Sequence, residues 1–455
     1  MPNIIFLAGL GFGDEGKGSC TDLLCRLQNV STVVRFSGGA QCGHNVVLPN
    51  GIHHTFAQFG SGTLAGAKTH LSHYMLVNPF SLQREAKALS LLVPNPYSLL
   101  TIEREALVTN PFQVAANRIR EIQRGRHHHG SCGMGIGETT EDSLTHPDMA
   151  IRIKDLQDAK NLREKLEFSR DLKTNQLGPF PVKKENPWQI FQDEQAVNIC
   201  VERYTEIAKK INIVDDVYLG NLLKTENVLF EGAQGVLLDQ DYGFHPHTTW
   251  TDTTFGNADR LLVHAGYAGE VRRIGVLRGY MTRHGAGPLP TEMHEPEVGS
   301  DADNCYGVFQ EHFRVGHFDA VLVKYALDVI GDLDEVILTN LDKIGDHPKI
   351  CDGYFDRPPQ EGGATFKAFL PVHSNPVNLD KQAKLTELLF RIEPLYRILR
   401  SKEELVRAIA ELLSNRVSLC SYGPTYKHKL PFQDYLRIIN DKYAMPTNSA
   451  FVLGL

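Results

Sequence analysis

The sequence predicts an α/β fold, on three observations. Residues 3 to 8 form a short apolar run ended by glycines, and residues 16 to 28 then carry apolar positions at helical spacing. Short β-rich runs bounded by turn residues recur along the chain. Helix-like stretches separate several of them, so strand and helix alternate.

The chain therefore opens as strand, loop, helix. TVVRFS (32 to 37), VLFEGA (228 to 233), RRIGVLRGYM (272 to 281), AVLVKY (320 to 325), DEVILTN (334 to 340) and RVSLCSYG (416 to 423) are the further expected strands. SKEELVRAIAELLSN (401 to 415) is the clearest helix, with Ser401 placed as N-cap, Glu404 three residues later and a leucine-rich face beyond. Residues 151 to 225 are charged and leucine-spaced with few strand signals, which predicts a mostly helical insertion broken by NQLGPFPVKKENP at 175 to 187. Residues 344 to 385 read as long surface loops, and 427 to 455 as a packed C-terminal tail. One large domain over 1 to 455 is expected rather than several, because large α/β folds carry such lengths with insertions.

At 42% hydrophobic and 22% charged residues, the composition is that of an ordinary soluble enzyme rather than a disordered chain. A formal charge of -7 without a long basic run excludes a nucleic-acid footprint, so any nucleotide bound is a small one. Eight cysteines, at 20, 25, 42, 132, 200, 305, 351 and 420, form no CxxC pair and no zinc spacing; free thiols in a reducing cytoplasm are expected. The start lacks a basic n-region and no run of 18 apolar residues occurs, so neither a signal peptide nor a membrane span is expected. The triple histidine at 127 to 129, flanked by Arg124, Arg126 and glycine, reads as a solvated loop rather than a metal site.

Two glycine turns carry the chemistry. Gly11-Phe12-Gly13-Asp14-Glu15-Gly16-Lys17-Gly18 follows a strand and opens a helix, matching the GxxxxGK of a phosphate loop but ending in glycine where Ser or Thr belongs. Glycines let backbone N–H groups close on phosphate, the helix N-terminus favours the anion, and Lys17 adds a point charge. With no hydroxyl to hold magnesium, a carboxylate must do so, and Asp14 lies inside the loop. A glycine-rich turn with a salt-bridged Asp14 fits the same segment. The second turn, residues 35 to 45, follows the next strand and carries His44, placed either to stabilise a transferring phosphoryl group or to serve as an ordinary structural histidine.

GFGDEGKG, GGAQCGH, FEGAQGVLLDQDYGFHPHTT and TRHGAGPLPTE, in that order, resemble the adenylosuccinate synthetase family. SCGMGIGETTED (131 to 142), LTNLDKIGDHPKICDGY (338 to 354) and SYGP (421 to 424) extend the resemblance over nearly the whole chain. It implies a mostly parallel sheet flanked by helices, a homodimer, and a ligase joining IMP to aspartate with GTP and magnesium. Asp14 would be general base on the purine N1 proton and a magnesium ligand, His44 would stabilise the phosphoryl group, Lys17 would hold phosphate, and the Gly43 carbonyl would be a second metal ligand. Gly13, Glu15, Gly16 and Gly18 would line the triphosphate. Asn340 and Asp342 fall on the guanine motif, with Ser421, Gly423 and Pro424 backing the ring, while Gln234 would read the IMP base and Thr249 would touch its phosphate.

Departures from the family concentrate at the substrate end. Ser131-Cys132-Gly133-Met134-Gly135 lacks one hydroxyl and the cation of the family's Thr-Thr-Gly-Arg-Gly, Gln41 replaces an asparagine, and His146 aligns near the arginine a partner subunit contributes. In the amine-donor loop only Arg314 keeps a cation, and Glu311 stands about where a carboxylate-binding arginine would. Asn340 replaces the lysine of the guanine motif. Three functions remain open: adenylosuccinate synthesis, a related ligation with a different oxo substrate or amine, and a non-catalytic nucleotide-binding protein.

Overall fold

The computed structural model describes residues 2–125, 128–178, 187–293, 312–356, 364–371, 373 and 379–440. Its centre is a sheet of ten strands: β1 Ile4–Gly9, β2 Thr32–Arg35, β3 Lys68–Leu71, β4 Leu100–Glu103, β5 Asn212–Val214, β6 Val228–Glu231, β7 Arg272–Arg278, β8 Glu335–Thr339, β9 Val417–Ser421 and β10 Lys429–Pro431. They lie in the order β10-β9-β8-β7-β1-β6-β2-β3-β4-β5. Every pairing is parallel except β9 with β10. The α/β fold and mostly parallel sheet expected from the sequence are thus present.

β1 shows why the sheet is two-sided. All six of its residues are buried, the mark of a parallel strand covered on both faces. Ile4, Phe6 and Ala8 pack with Phe230, Leu322 and Leu338 on one face; Ile5 and Leu7 pack with Cys20, Leu24, Val276 and Ile337 on the other. Five helices matter below: α1 Lys17–Leu27, α2 Pro111–Arg124, α3 Ile136–Thr145, α4 Ala320–Ile330 and α5 Lys402–Leu412. The Ser401 cap of α5 forms as its sequence demands, accepting from the Glu404 N–H at 3.2 Å.

One expected strand is a helix. AVLVKY starts α4, because the Asp319 carboxylate caps it through the N–H groups of Val321 and Leu322, at 3.1 and 3.0 Å. A short apolar run buried on all sides has no periodicity that separates strand from helix, so the cap decides. The loops expected over 344 to 385 are also corrected. Lys349–Phe355 is a seven-residue strand of a second sheet, pairing with Phe318–Asp319, Thr365–Phe366 and Glu393–Ile398, and Leu379–Arg391 is a helix. Asp352 interrupts the strand's pattern as a bulge between Cys351 and Gly353.

Residues 151 to 225 hold the helices Ala159–Leu177, Ala196–Ala208 and Val217–Thr225, but also β5, which extends the main sheet. The breaking segment at 179–186 lies outside the described residues, as do 441–455 of the tail. Of the tail's described part, β10 and the helix Phe432–Asn440 pack on β9 and α5. Seven cysteines among the described residues are free. No helix there is long and apolar enough to cross a membrane.

Candidate active site

β1, β6 and β2 are neighbours in the sheet, so the glycine turns after them meet at one edge. Close approach dictates their composition. A Cβ on Gly18 would lie 2.9 Å from the backbone of His44 and Asn45, which is why the phosphate-loop hydroxyl position holds glycine here. A Cβ on Gly235, in the turn after β6, would fall on the Gly11 carbonyl. The missing side chains bring Lys17, His44 and Gln234 to one place.

The first loop is strained in a directed way. Asp14 takes φ 62°, a left-handed conformation acidic and amide side chains tolerate better than most, and its carboxylate stays partly exposed. His284, from the strand Met281–His284, puts Nε2 3.5 Å from Asp14 Oδ2. Glu15 turns inward: Oε1 accepts from the N–H groups of Gly11 (3.0 Å) and Gly13 (2.8 Å), and Oε2 accepts from Lys17 Nζ at 2.6 Å. Its carboxylate thus takes backbone donors much as a bound anion would, and a phosphate entering the loop competes with it for Lys17. Gly16, at φ 92°, precedes α1 with no side-chain cap, leaving the first N–H groups of the helix for an anion.

His44 is held from behind. Nδ1 lies 2.7 Å from Oε1 of Glu231, the last residue of β6, which also accepts from the Ser61 hydroxyl (2.5 Å) and backbone N–H (3.0 Å). Arg35, fully buried, stands 3.9 Å away. Burial pushes the Glu231 carboxyl up, but His44 and Arg35 outweigh it and hold it down at about 2. Burial keeps His44 below the ordinary imidazole value against the pull of Glu231. Its tautomer follows from its partner: Nδ1 donates to Glu231, leaving the other nitrogen for the site. Glu231→Gln removes the charge and is expected to lower turnover about 10- to 100-fold, the scale for carboxylates that orient a working histidine, with little change in nucleotide KM. Parent-like turnover in steady-state assay would remove Glu231 from the site.

The second turn carries Gln41. Both polar atoms of the Gln41 amide are buried without a hydrogen-bond partner among the described residues, a costly state unless a ligand supplies one. Gln234 adopts φ 59°, with its amide oxygen towards Gly13. Thr249 sits in the turn after β6, its N–H donating to the Leu238 carbonyl at 2.8 Å. Gly43 is exposed beside His44.

The loop before α3 leans on α2. Asn117 donates to the Ser131 hydroxyl at 2.8 Å, and Arg118 Nε donates to the Gly133 carbonyl at 2.9 Å. Burial pushes the Cys132 thiol up to about 11, so it stays protonated. Arg118 thus sets a guanidinium beside the loop that lacks its own cation at Met134. His146 ends α3 and packs on Phe168 with ring centroids 5.3 Å apart. His127 lies outside the described residues; His129 is held through its carbonyl by His247 Nδ1, at 3.1 Å.

The turn expected to read the base leaves β8, beside β9. Asn340, at φ 55°, and Asp342 follow Thr339; Ser421 ends β9, its hydroxyl donating to the Gly423 carbonyl at 3.1 Å. Asp342 is exposed, with the cations Lys402 and Lys429 in its surroundings, and Pro424 is exposed too. Arg314 is committed elsewhere: it makes a two-point pair with Glu292 (2.8 and 2.5 Å) and donates to the carbonyls of Gly285 and Gly287. Glu311 lies outside the described residues. Glu231, Arg118, His284 and Arg278, described below, escaped the sequence reading.

Fold and site define an α/β enzyme with a phosphate loop that lacks the usual hydroxyl and carries its own carboxylates. A family model for adenylosuccinate synthetase matches residues 6–430, and the chain belongs to the adenylosuccinate synthetase family, whose members are ligases forming a carbon–nitrogen bond. An adenylosuccinate synthetase of Saccharopolyspora erythraea is 35% identical over 351 residues, 75% of this chain and 78% of that protein. One from Mycobacterium marinum is 34% identical over 363 residues, 78% and 80% of the two chains. The fully ligated adenylosuccinate synthetase of Plasmodium falciparum superposes with a TM-score of 0.75 at 21% identity, covering 94% of this chain and 99% of that one. The succinoaminodeoxyadenylate synthetase of cyanophage S-2L, solved with dGMP and dATP, gives 0.52 at 15% identity, covering 96% and 98%. At such identities these two structures speak for the fold.

Proposed function

We propose that this chain is a GTP-dependent ligase that phosphorylates the 6-oxygen of IMP or a related oxopurine nucleotide and lets an amine displace it. The observation that carries this reading is that the turn bearing Asp14 and Lys17 abuts the turn bearing His44, with Gly235 of the turn after β6 closing on the first and Glu231 behind the histidine. Asp14 takes the N1 proton, and the 6-oxygen attacks the γ-phosphorus as GDP leaves. The amine then attacks C6, loses a proton, and expels phosphate carrying the former 6-oxygen. The negative charge of the triphosphate favours the imidazolium form of His44, giving its second nitrogen a proton to donate to the transferring group.

Magnesium fits the residues present. It needs only one or two protein oxygens beside phosphate and water; the Asp14 carboxylate is partly exposed and Gly43 is an exposed residue. The described residues hold no cluster of three His, Cys, Asp or Glu side chains that would form a complete cage. When bound, the ion would neutralise charge between the nucleotide phosphates.

Asp342 would read guanine, backed by Ser421, Gly423 and Pro424; Gln41 and Gln234 would meet the oxopurine; and Ser131, Cys132, Thr249 and Arg118 would surround its phosphate. A homodimer with His146 reaching the partner's site belongs to the same reading, as does a cytoplasmic setting, in keeping with the free thiols. A second reading, ligation with a donor other than aspartate, is favoured by the pairing of Arg314 with Glu292. Phosphate release from GTP across a panel of oxopurine nucleotides and amines tests both. Release is expected only when both partners are present; release independent of either, or none with any pair, contradicts the proposal.

A further inference from the structure

We propose that Arg278 is a positioning residue that ties the base-reading turn at Asn340–Asp342 to the loop carrying Asp14, an inference that rests on the ligase reading above. Arg278 ends β7, the strand between β1 and β8, so its side chain stands between the loops that follow both neighbours. Nε lies 2.5 Å from the Asp14 carbonyl. With the Asn340 amide turned so that its oxygen faces the guanidinium, that oxygen is 2.8 Å from Nε and 3.0 Å from Nη2. Nη1 donates to the Tyr280 hydroxyl at 2.8 Å, and the rings of Tyr280 and Phe313 flank the guanidinium with centroids 5.2 and 5.8 Å from Cζ. The residue is only 6% exposed.

Both residues it holds have a backbone that needs holding, as does Gln234 in the turn after β6. Asp14 and Asn340 are both non-glycine residues in the left-handed region, at φ 62° and 55°. Because the peptide unit is planar and trans, fixing the Asp14 carbonyl also fixes the Glu15 N–H on the opposite side. Thr339, paired with Arg278 in the sheet, repeats the device one residue on: its hydroxyl donates to the Glu15 carbonyl at 2.5 Å, which fixes the Gly16 N–H. Arginine suits the task because its planar fork serves several acceptors at once, where a lysine serves them as a point charge. Phe313 extends the contact to the strand Phe313–Gly316, which begins where the segment expected to meet the amine donor ends. One side chain thus touches the general-base loop, the base-reading turn and the donor strand.

The test is a double-mutant cycle on the full chain with Arg278→Met, Asn340→Gly and the pair, glycine being chosen because it keeps the left-handed turn. Arg278→Met is expected to lower kcat about tenfold or more at saturating nucleotide with little change in KM, since misplacing a reacting group costs rate rather than affinity. Asn340→Gly is expected to lower kcat as well, and the double variant to be no slower than Arg278→Met alone. Parent-like kcat in Arg278→Met, or effects that multiply, overturns the proposal. Should Arg278→Met fail to fold, Arg278→Lys keeps a donor for the Asp14 carbonyl but not the fork; Asn340→Gly is then expected to be silent in that background, and a further loss there overturns the proposal equally. Asp14→Asn in the same assay separates the failures: if it is inactive while Arg278→Met is normal, only the coupling is wrong.

Discussion

Replacing Asp14 with asparagine is expected to lower turnover by at least about two orders of magnitude, the scale on which a general base contributes. The substitution is chosen for what it preserves. Asparagine has the same shape and tolerates the left-handed backbone at φ 62° as well as aspartate does, so the Arg278 contact to the Asp14 carbonyl stays in place. Glu15 and Lys17 keep their own contacts within the loop, so nucleotide binding is expected to remain nearly intact. What is lost is an oxygen that can take the N1 proton and one carboxylate for magnesium. A variant with near-normal turnover would show that the proton leaves by another route.

The second large effect concerns the amine. Aspartate is expected to be a poor donor, with a requirement raised more than about a hundredfold over one held by two arginine–carboxylate contacts, because each charge-assisted contact is worth about 1.5 to 3 kcal/mol. Arg314, the cation retained at the expected loop, is neutralised by Glu292 and occupied by two backbone carbonyls, so its fork is already filled. Phe313, its neighbour, offers a ring against His284 at 4.8 Å between centroids. Arg272 and Arg273 are no substitute. They pair with Glu335 and Asp259 at the start of β7, whereas the site lies beyond Arg278 at its other end, about 20 Å along the strand. Steady-state assays with IMP, GTP and magnesium across aspartate concentrations check this. Saturation at sub-millimolar aspartate, with adenylosuccinate as product, would show it wrong and place the carboxylate-binding cations elsewhere.

The glycine turns were legible in the sequence because close loop contacts forbid side chains there, as at Gly18 and Gly235, and that prohibition is written into the chain. Asp14, Lys17 and His44 were legible because they sit within those turns. Glu231 was not: it closes a strand whose pattern says only that it is β, and its partner His44 lies 187 residues away. Only the register of β6 against β2, which pairs Glu231 with Arg35, brings the two loops together. Arg278 is hidden the same way, within a run read simply as a β-strand. AVLVKY misled because the Asp319 cap that decides its structure lies outside the apolar run. Lys349–Phe355 was obscured by its own Asp352 and Gly353, which read as a turn yet form a bulge.

The central claim is that the 6-oxygen of an oxopurine nucleotide becomes part of the phosphate released, and oxygen labelling tests it most directly. With substrate carrying heavy oxygen at the 6-position, GTP, magnesium and an accepted amine, each phosphate released is expected to carry one labelled oxygen for every carbon–nitrogen bond formed. Unlabelled phosphate, with the label kept on the purine or lost to water, would contradict the account, because the nucleotide would then be hydrolysed without the 6-oxygen ever having been phosphorylated.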